Sequence, residues 1–206
     1  MGEAITEVET LTKRFIPSGY SSKFVGHAEA FKESFEYLII ALLQAIIIVY
    51  MVLAMQFNSF LHPLTVMLAL PLSTVGAFGA LYVMGDTISI ISMIGMITLT
   101  ALVVKNSILL VDYTNTLRER GMGRDQAVLQ ASPVRLRPIL MTAVTTILGV
   151  LPVAMGYSAG GEARAGMGRA TFGGMFASTL LTLFVVPVAY TLLDDLQEKV
   201  KILLKK

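Results

Sequence analysis

Cysteine and tryptophan are absent from this 206-residue chain, and histidine occurs only twice. Without cysteine there is no disulfide and no thiolate metal site, and the redox compartment leaves no trace in the sequence. His27 and His62 stand far apart, each without a second metal-type residue nearby, so no metal or cofactor is expected. Charge is also scarce. Charged residues make up 15% of the chain against 55% hydrophobic, and the mean hydropathy of +0.73 lies far outside soluble usage. The 16 basic and 14 acidic residues nearly balance. The bases sit between apolar runs and form no continuous face for nucleic acid. No short apolar run with a cleavage site opens the chain, because the first apolar stretch begins near Tyr37. No nucleophile–His–Asp set and no GK[ST] phosphate loop occurs, and no enzyme activity is expected.

What is present is a series of long apolar runs. Residues 1–22 form a short polar head, with Ile5, Val8, Leu11 and Phe15 spaced as on a one-sided helix and Pro17-Ser18-Gly19 ending it. A helix this short cannot bury its own stripe, so the head reads as the last piece of a larger domain. Five spans are then predicted within 23–193, at about 24–56, 63–84, 88–114, 138–157 and 167–193. Each apolar part reaches the ~20 residues needed to cross about 30 Å of hydrocarbon. Pro71 predicts a kink in the second span, and Asp86 or Thr87 is a natural N-cap for the third. A short surface helix is expected over 124–131 before Ser132-Pro133, with Pro138 opening the fourth span. The glycine-rich stretch 156–168 reads as a loop, and 194–206 as a charged amphipathic tail. The fold class is all-α, a polytopic membrane helix bundle with no sheet.

Small residues recur at helical spacing in two spans. Gly76 and Ala80, with Ser73 and Ala77, line the second. Gly166, Ala170, Gly174 and Ser178, continuing to Thr182, form a ladder at steps of four in the fifth. Such rows let helices approach to backbone distance, and both are expected to be packing surfaces.

The third span carries Lys105 and Asn106 well inside an apolar run, with Asp112 two turns on. At about 1.5 Å per residue Lys105 lies some 14 Å from the polar end. A lysine at such depth costs roughly 2.5–3.5 kcal/mol on insertion scales, which marks a functional site with a partner on another helix. The alternative is a lysine that snorkels to the nearer interface. Thr98, Ala101, Leu109 and Asp112 share its face. A lysine facing carboxylates can change partners as they take up and release protons, which makes a proton relay. Arg135 and the threonines at 142, 145 and 146 are placed to extend it. Asp112 is a weak partner, two turns along the same helix, so the acids must come from elsewhere.

Four passages resemble the resistance–nodulation–division (RND) efflux pumps, in particular the AcrB-like drug exporters. Leu99 to Thr114 (LTALVVKNSILLVDYT) resembles the family's lysine-bearing tenth helix. Arg135 to Thr142 (RLRPILMT) resembles the start of the eleventh. Gly173-Gly174-Met175 with Phe184 to Val188 resembles the twelfth, and Pro17 to Gly26 (PSGYSSKFVG) the end of the second periplasmic porter region. The five spans would be helices eight to twelve of such a pump. The resemblance implies a trimeric drug:proton antiporter of the bacterial inner membrane that exports amphiphilic compounds. In it, residues matching Lys105, Arg135 and Thr142 serve a proton relay with two aspartates on the N-terminal half. It also implies a periplasmic adaptor and an outer-membrane channel as partners. Those aspartates and most of the drug-binding region are not in this sequence, so the chain alone is not expected to pump. The Lys105-Asn106 motif favours the drug branch over the metal branch.

The arginines after the third span and the lysines of the tail place that loop and the C-terminus in the cytoplasm, with the head outside. A non-transporting scaffold and a self-assembled proton pore, in which copies supply Asp112 to one another, remain the other readings.

Overall fold

The computed structural model describes residues 2–15, 26–59, 61–157 and 160–204. The described residues form helices only: α1 (Gly2–Phe15), α2 (His27–Phe57), α3 (His62–Met67), α4 (Ala69–Val83), α5 (Ile90–Glu119), α6 (Arg124–Met155) and α7 (Gly161–Leu204). Five stretches are long and apolar enough to cross a membrane: Phe31–Phe57, His62–Val83, Ile90–Glu119, Arg124–Met155 and Gly161–Leu196. The sequence-derived break at Pro17, the helix start near Phe24 and most of the Pro17–Gly26 passage lie outside the described residues, as do Lys205 and Lys206.

The chain divides into two compact units, Met1–Leu42 and Leu43–Lys206. In the first, α1 exposes Val8, Leu11 and Phe15, the described members of its apolar stripe. Phe31 and Phe35, one turn apart on α2, stack at 6.2 Å.

In the second unit α7 is the central helix, packed along α4, α5 and α6 and against α3. The core joins Leu53 of α2, Val66 and Leu70, Leu110 and Val111 of α5, Ala127, Ala131 and Ile139 of α6, and Val186 and Tyr190 of α7. The outer faces of α2 and α6 are apolar and exposed, including Ile47, Ile48, Val52, Met141, Val144 and Leu148. Apolar residues on both sides of a helix are what a bilayer-facing element requires.

The α4–α7 contact is close because small residues meet there. A Cβ on Gly76 would run into Ala177 and stand 2.8 Å from the Gly173 carbonyl oxygen. A Cβ on Gly173 would run into Ala80. A Cβ on Gly174 would strike Leu99 of α5 and lie 2.9 Å from the Ser73 carbonyl oxygen. Ala170 and Ser178 are buried on the same helix, and Gly166 faces Ser89 and Ser92 at the start of α5.

Four boundaries differ from the sequence reading. The second span is interrupted at Leu68, between α3 and α4. Pro71 has no N–H for the Met67 carbonyl, so the ladder fails a turn before the proline rather than at it. The α5 cap is Ser89, not Asp86 or Thr87. Ser89 Oγ accepts from the Ser92 N–H at 3.2 Å, and Ser92 Oγ accepts from the Ser89 N–H at 2.8 Å. Asp86 is engaged otherwise: its N–H donates to the Leu81 carbonyl across Gly85 (φ +71°), closing the end of α4, and its carboxylate pairs with Arg169.

The third and fourth differences concern α6 and α7. Helix α6 runs unbroken from Arg124 through Pro133 and Pro138, where a separate surface helix was expected. Its buried stripe of Ala127, Ala131, Ile139 and Ala143 passes both prolines without a change of phase, so packing holds the helix together. The carbonyl that Pro133 leaves free belongs to Leu129, which is exposed. Helix α7 begins at Gly161, inside the expected loop. The glycines there serve close approach: a Cβ on Gly168 would stand 2.7 Å from the Ala154 Cα. At its other end α7 continues through the expected tail to Leu204, with Asp194 buried.

Candidate functional site

Helix α5 has two unlike sides. Leu99, Val103, Asn106, Leu110 and Leu117 are buried toward the bundle. Thr98, Ala101, Lys105 and Asp112 are exposed along the opposite face, with Leu109 half-buried among them. No ion pair among the described residues involves Lys105 or Asp112. Seven residues of helix separate the two by roughly 10 Å along the axis, beyond direct pairing. Thr98 Oγ1 donates to the Ile94 carbonyl of its own helix at 3.0 Å. The second unit therefore presents an ammonium and a carboxylate on a stripe of α5 that its described helices leave open. Both groups are suited to an external partner.

Arg135 occupies the inward ladder of α6, between Ala131 and Ile139. Its guanidinium lies 4.4 Å over the ring of Tyr113 on α5, a cation–π contact, and its Nε is buried without a hydrogen bond. This contact also sets the level of α6 beside α5 in their antiparallel hairpin. Seven residues further along α6, Thr142 comes roughly level with Asn106, about 10 Å from Arg135. Thr142 Oγ1 donates back to its own helix, at 3.1 Å to the Pro138 carbonyl and 3.0 Å to that of Ile139. The structure thus brings Arg135 onto Tyr113, keeps Thr142 about 10 Å further along α6, leaves Lys105 and Asp112 exposed, and buries Asn106, whose Nδ2 has no partner.

Two charged clusters went unrecognised in the sequence. At the end where α5 finishes, Arg118 Nη1 donates to Asp194 Oδ1 at 3.0 Å and to Tyr190 Oη at 2.9 Å. Tyr190 Oη in turn donates to Asn115 Oδ1 at 2.5 Å. Arg124 pairs with Asp195 and with Asp125, and its Nη1 lies 3.9 Å from Asp194 Oδ2. His62 stacks on Tyr190 at 5.4 Å, with Phe57 edge-on behind it. The charged members of this cluster, Arg118, Arg124, Asp194 and Asp195, line a cleft of about 760 Å³ together with the turn between α5 and α6. At the other end Arg169 of α7 pairs with Asp86 at 2.7 Å and donates to the Ala154 carbonyl at 3.0 Å. The sequence signal was faint: Asn115 and Arg118 share a face, as do Tyr190 and Asp194, yet only the fold places one pair opposite the other.

These features define a multi-pass membrane protein with ionisable side chains inside its spans. A profile of the AcrB/AcrD/AcrF family matches residues 1–194. The chain is 35% identical over 201 residues to the multidrug resistance protein MdtC of Proteus mirabilis, covering 97% of this chain and 20% of that protein. It is 40% identical over 184 residues to the swarming motility protein SwrC of Bacillus subtilis, covering 89% of this chain and 18% of that protein. Among solved structures it is similar to a heavy metal efflux pump, with a TM-score of 0.84 and 26% identity, over 95% of this chain and 20% of the pump. The protein belongs to the AcrB/AcrD/AcrF family of RND proteins. It spans about a fifth of the length of the curated relatives it matches.

Proposed function

We propose that this chain is a membrane component of a proton-driven RND-type efflux transporter that exports amphiphilic drugs or hydrophobic compounds. Lys105 is the centre of its proton relay, with Arg135, Thr142, Asn106, Thr98 and Asp112 around it. The observation that carries this reading is the open α5 stripe. Lys105 stands at mid-span with no ion pair among the described residues, on a face that the other helices of the second unit leave exposed, and it calls for carboxylates from a partner. In this reading the partner is the N-terminal half of an RND pump, and the chain is inactive alone. The assembled pump is a trimer in the bacterial inner membrane, with the N-terminus periplasmic and the C-terminus cytoplasmic. It works with a periplasmic adaptor and an outer-membrane channel. The drug branch is favoured over the metal branch by the Lys105-Asn106 motif, and the likeness to a multidrug resistance protein agrees with it.

The test is Lys105→Ala in the complex reconstituted with its N-terminal half. Drug-dependent proton movement is expected to vanish while assembly persists, and retained proton movement overturns the relay. The exposure of Asp112 on the same stripe favours a second reading, a proton pore of identical copies pairing Lys105 with Asp112. Proton flux from this chain alone in liposomes, lost in Asp112→Asn, would establish the pore and displace the transporter.

A further inference from the structure

Serine and threonine inside a helix normally give their proton to a carbonyl one turn back, and in α3 to α7 they do so with three exceptions. Ser73, Thr100, Thr114, Ser132, Thr171 and Thr179 are examples of the rule, at 2.7–3.0 Å. Thr65, Ser107 and Thr182 do not. All three hydroxyls are buried without a hydrogen bond, in residues no more than 2% exposed. The buried Asn106 Nδ2, adjacent in sequence to Ser107, is equally without a partner.

The helix register brings these groups to neighbouring levels of the bundle. Helices α5 and α7 run in the same direction, and their register is fixed by Tyr190 on Asn115, Asp194 on Arg118 and Thr171 on the Gly95 carbonyl, at offsets of 75, 76 and 76 residues. Offsets of 75 and 76 set Thr182 level with Ser107 and Asn106, which are buried on α5. Thr65 follows His62 on α3 by three residues, and His62 is seated on Tyr190. That puts Thr65 roughly 5 Å inward from the His62–Tyr190 stack, and Ser107 and Thr182 roughly 7 Å further in.

We infer that Thr65, Ser107, Thr182 and Asn106 form an internal water site between α3, α5 and α7. A buried polar group without a partner is costly, and a water molecule making two to four hydrogen bonds removes the cost for several groups at once. The ligand is water rather than a cation, because no carboxylate is among the four groups and the free Asn106 atom is a donor. The separation along the axis is one or two water molecules, at about 2.8 Å per bond. The site continues the polar series of Arg118, Tyr190 and His62 inward to Asn106, next to Lys105. A role in bringing protons to Lys105 rests on the relay proposed above; the water site itself does not.

The test uses the full chain, purified in nanodiscs. Thr182→Val keeps shape and removes one hydroxyl. If that hydroxyl were simply unsatisfied, the melting temperature would rise. A shared water predicts a fall of about 2–4 °C instead, because the remaining groups lose their partner. Ser107→Ala behaves likewise, and the double variant falls by less than the sum. Infrared spectra in H₂¹⁸O then separate water from a direct Ser107–Thr182 bond: an isotope-shifted O–H band present in the native chain disappears in either variant. A rise in melting temperature, or no isotope-sensitive band in the native chain, overturns the site. If Lys105→Ala leaves proton movement intact while the band persists, the relay falls and the water site stands.

Discussion

Replacing Gly174 by alanine adds one methyl group where α7 meets both α4 and α5. The added Cβ would run into the Leu99 side chain and lie 2.9 Å from the Ser73 carbonyl oxygen. Leucine can rotate, but a helical carbonyl cannot, so the helices must separate by several tenths of an ångström. Overpacking of this kind costs about 1–3 kcal/mol, against a helix-propensity gain of about 0.5–1 kcal/mol for removing a glycine. A control is available on α4, where a Cβ on Gly79 meets nothing within 4 Å. Gly79→Ala is therefore expected to be neutral or stabilising. Thermal unfolding in detergent is the assay, with each kcal/mol moving the midpoint about 2–4 °C in a chain of this size. Gly174→Ala is expected to melt below the native chain, and Gly174→Leu lower still. If Gly174→Ala melts with or above Gly79→Ala, the α4–α7 crossing does not have this geometry and the ladder faces lipid.

Asp194→Ala should destabilise the second unit by about 1–3 kcal/mol, because Arg118 keeps its desolvated position without its carboxylate; Arg118 is 31% exposed, so water moderates the loss. An unchanged melting temperature would show that the network at that end contributes nothing. Ser89→Ala removes one side of the reciprocal cap on α5 and should cost about 1 kcal/mol. Hydrogen exchange should then quicken in the first turn after Ser89 and nowhere else, and uniform or absent change would refute the cap.

The membrane class, the five apolar spans and the all-helical fold were legible in the linear order of residues, as was the depth of Lys105 within its span. Hydropathy acts on each segment separately, and the penalty for a lysine in hydrocarbon does not depend on which helix comes next. Helix ends were less legible because they are decided by competition. Asp86 is a good cap in isolation, but Arg169, 83 residues away, holds its carboxylate, and Ser89 caps instead. Pro133 reads as a stop, yet the stripe from Ala127 to Ala143 keeps α6 continuous. Tertiary structure alone decided which polar groups meet: Tyr190 with Asn115, Asp194 with Arg118, and Arg169 with Asp86. Each lies on a helix whose neighbour is set by packing of small residues at a distance, and no local pattern encodes the offset between two helices. For the same reason the outward direction of Lys105 became visible only once α7 had claimed the opposite side of α5.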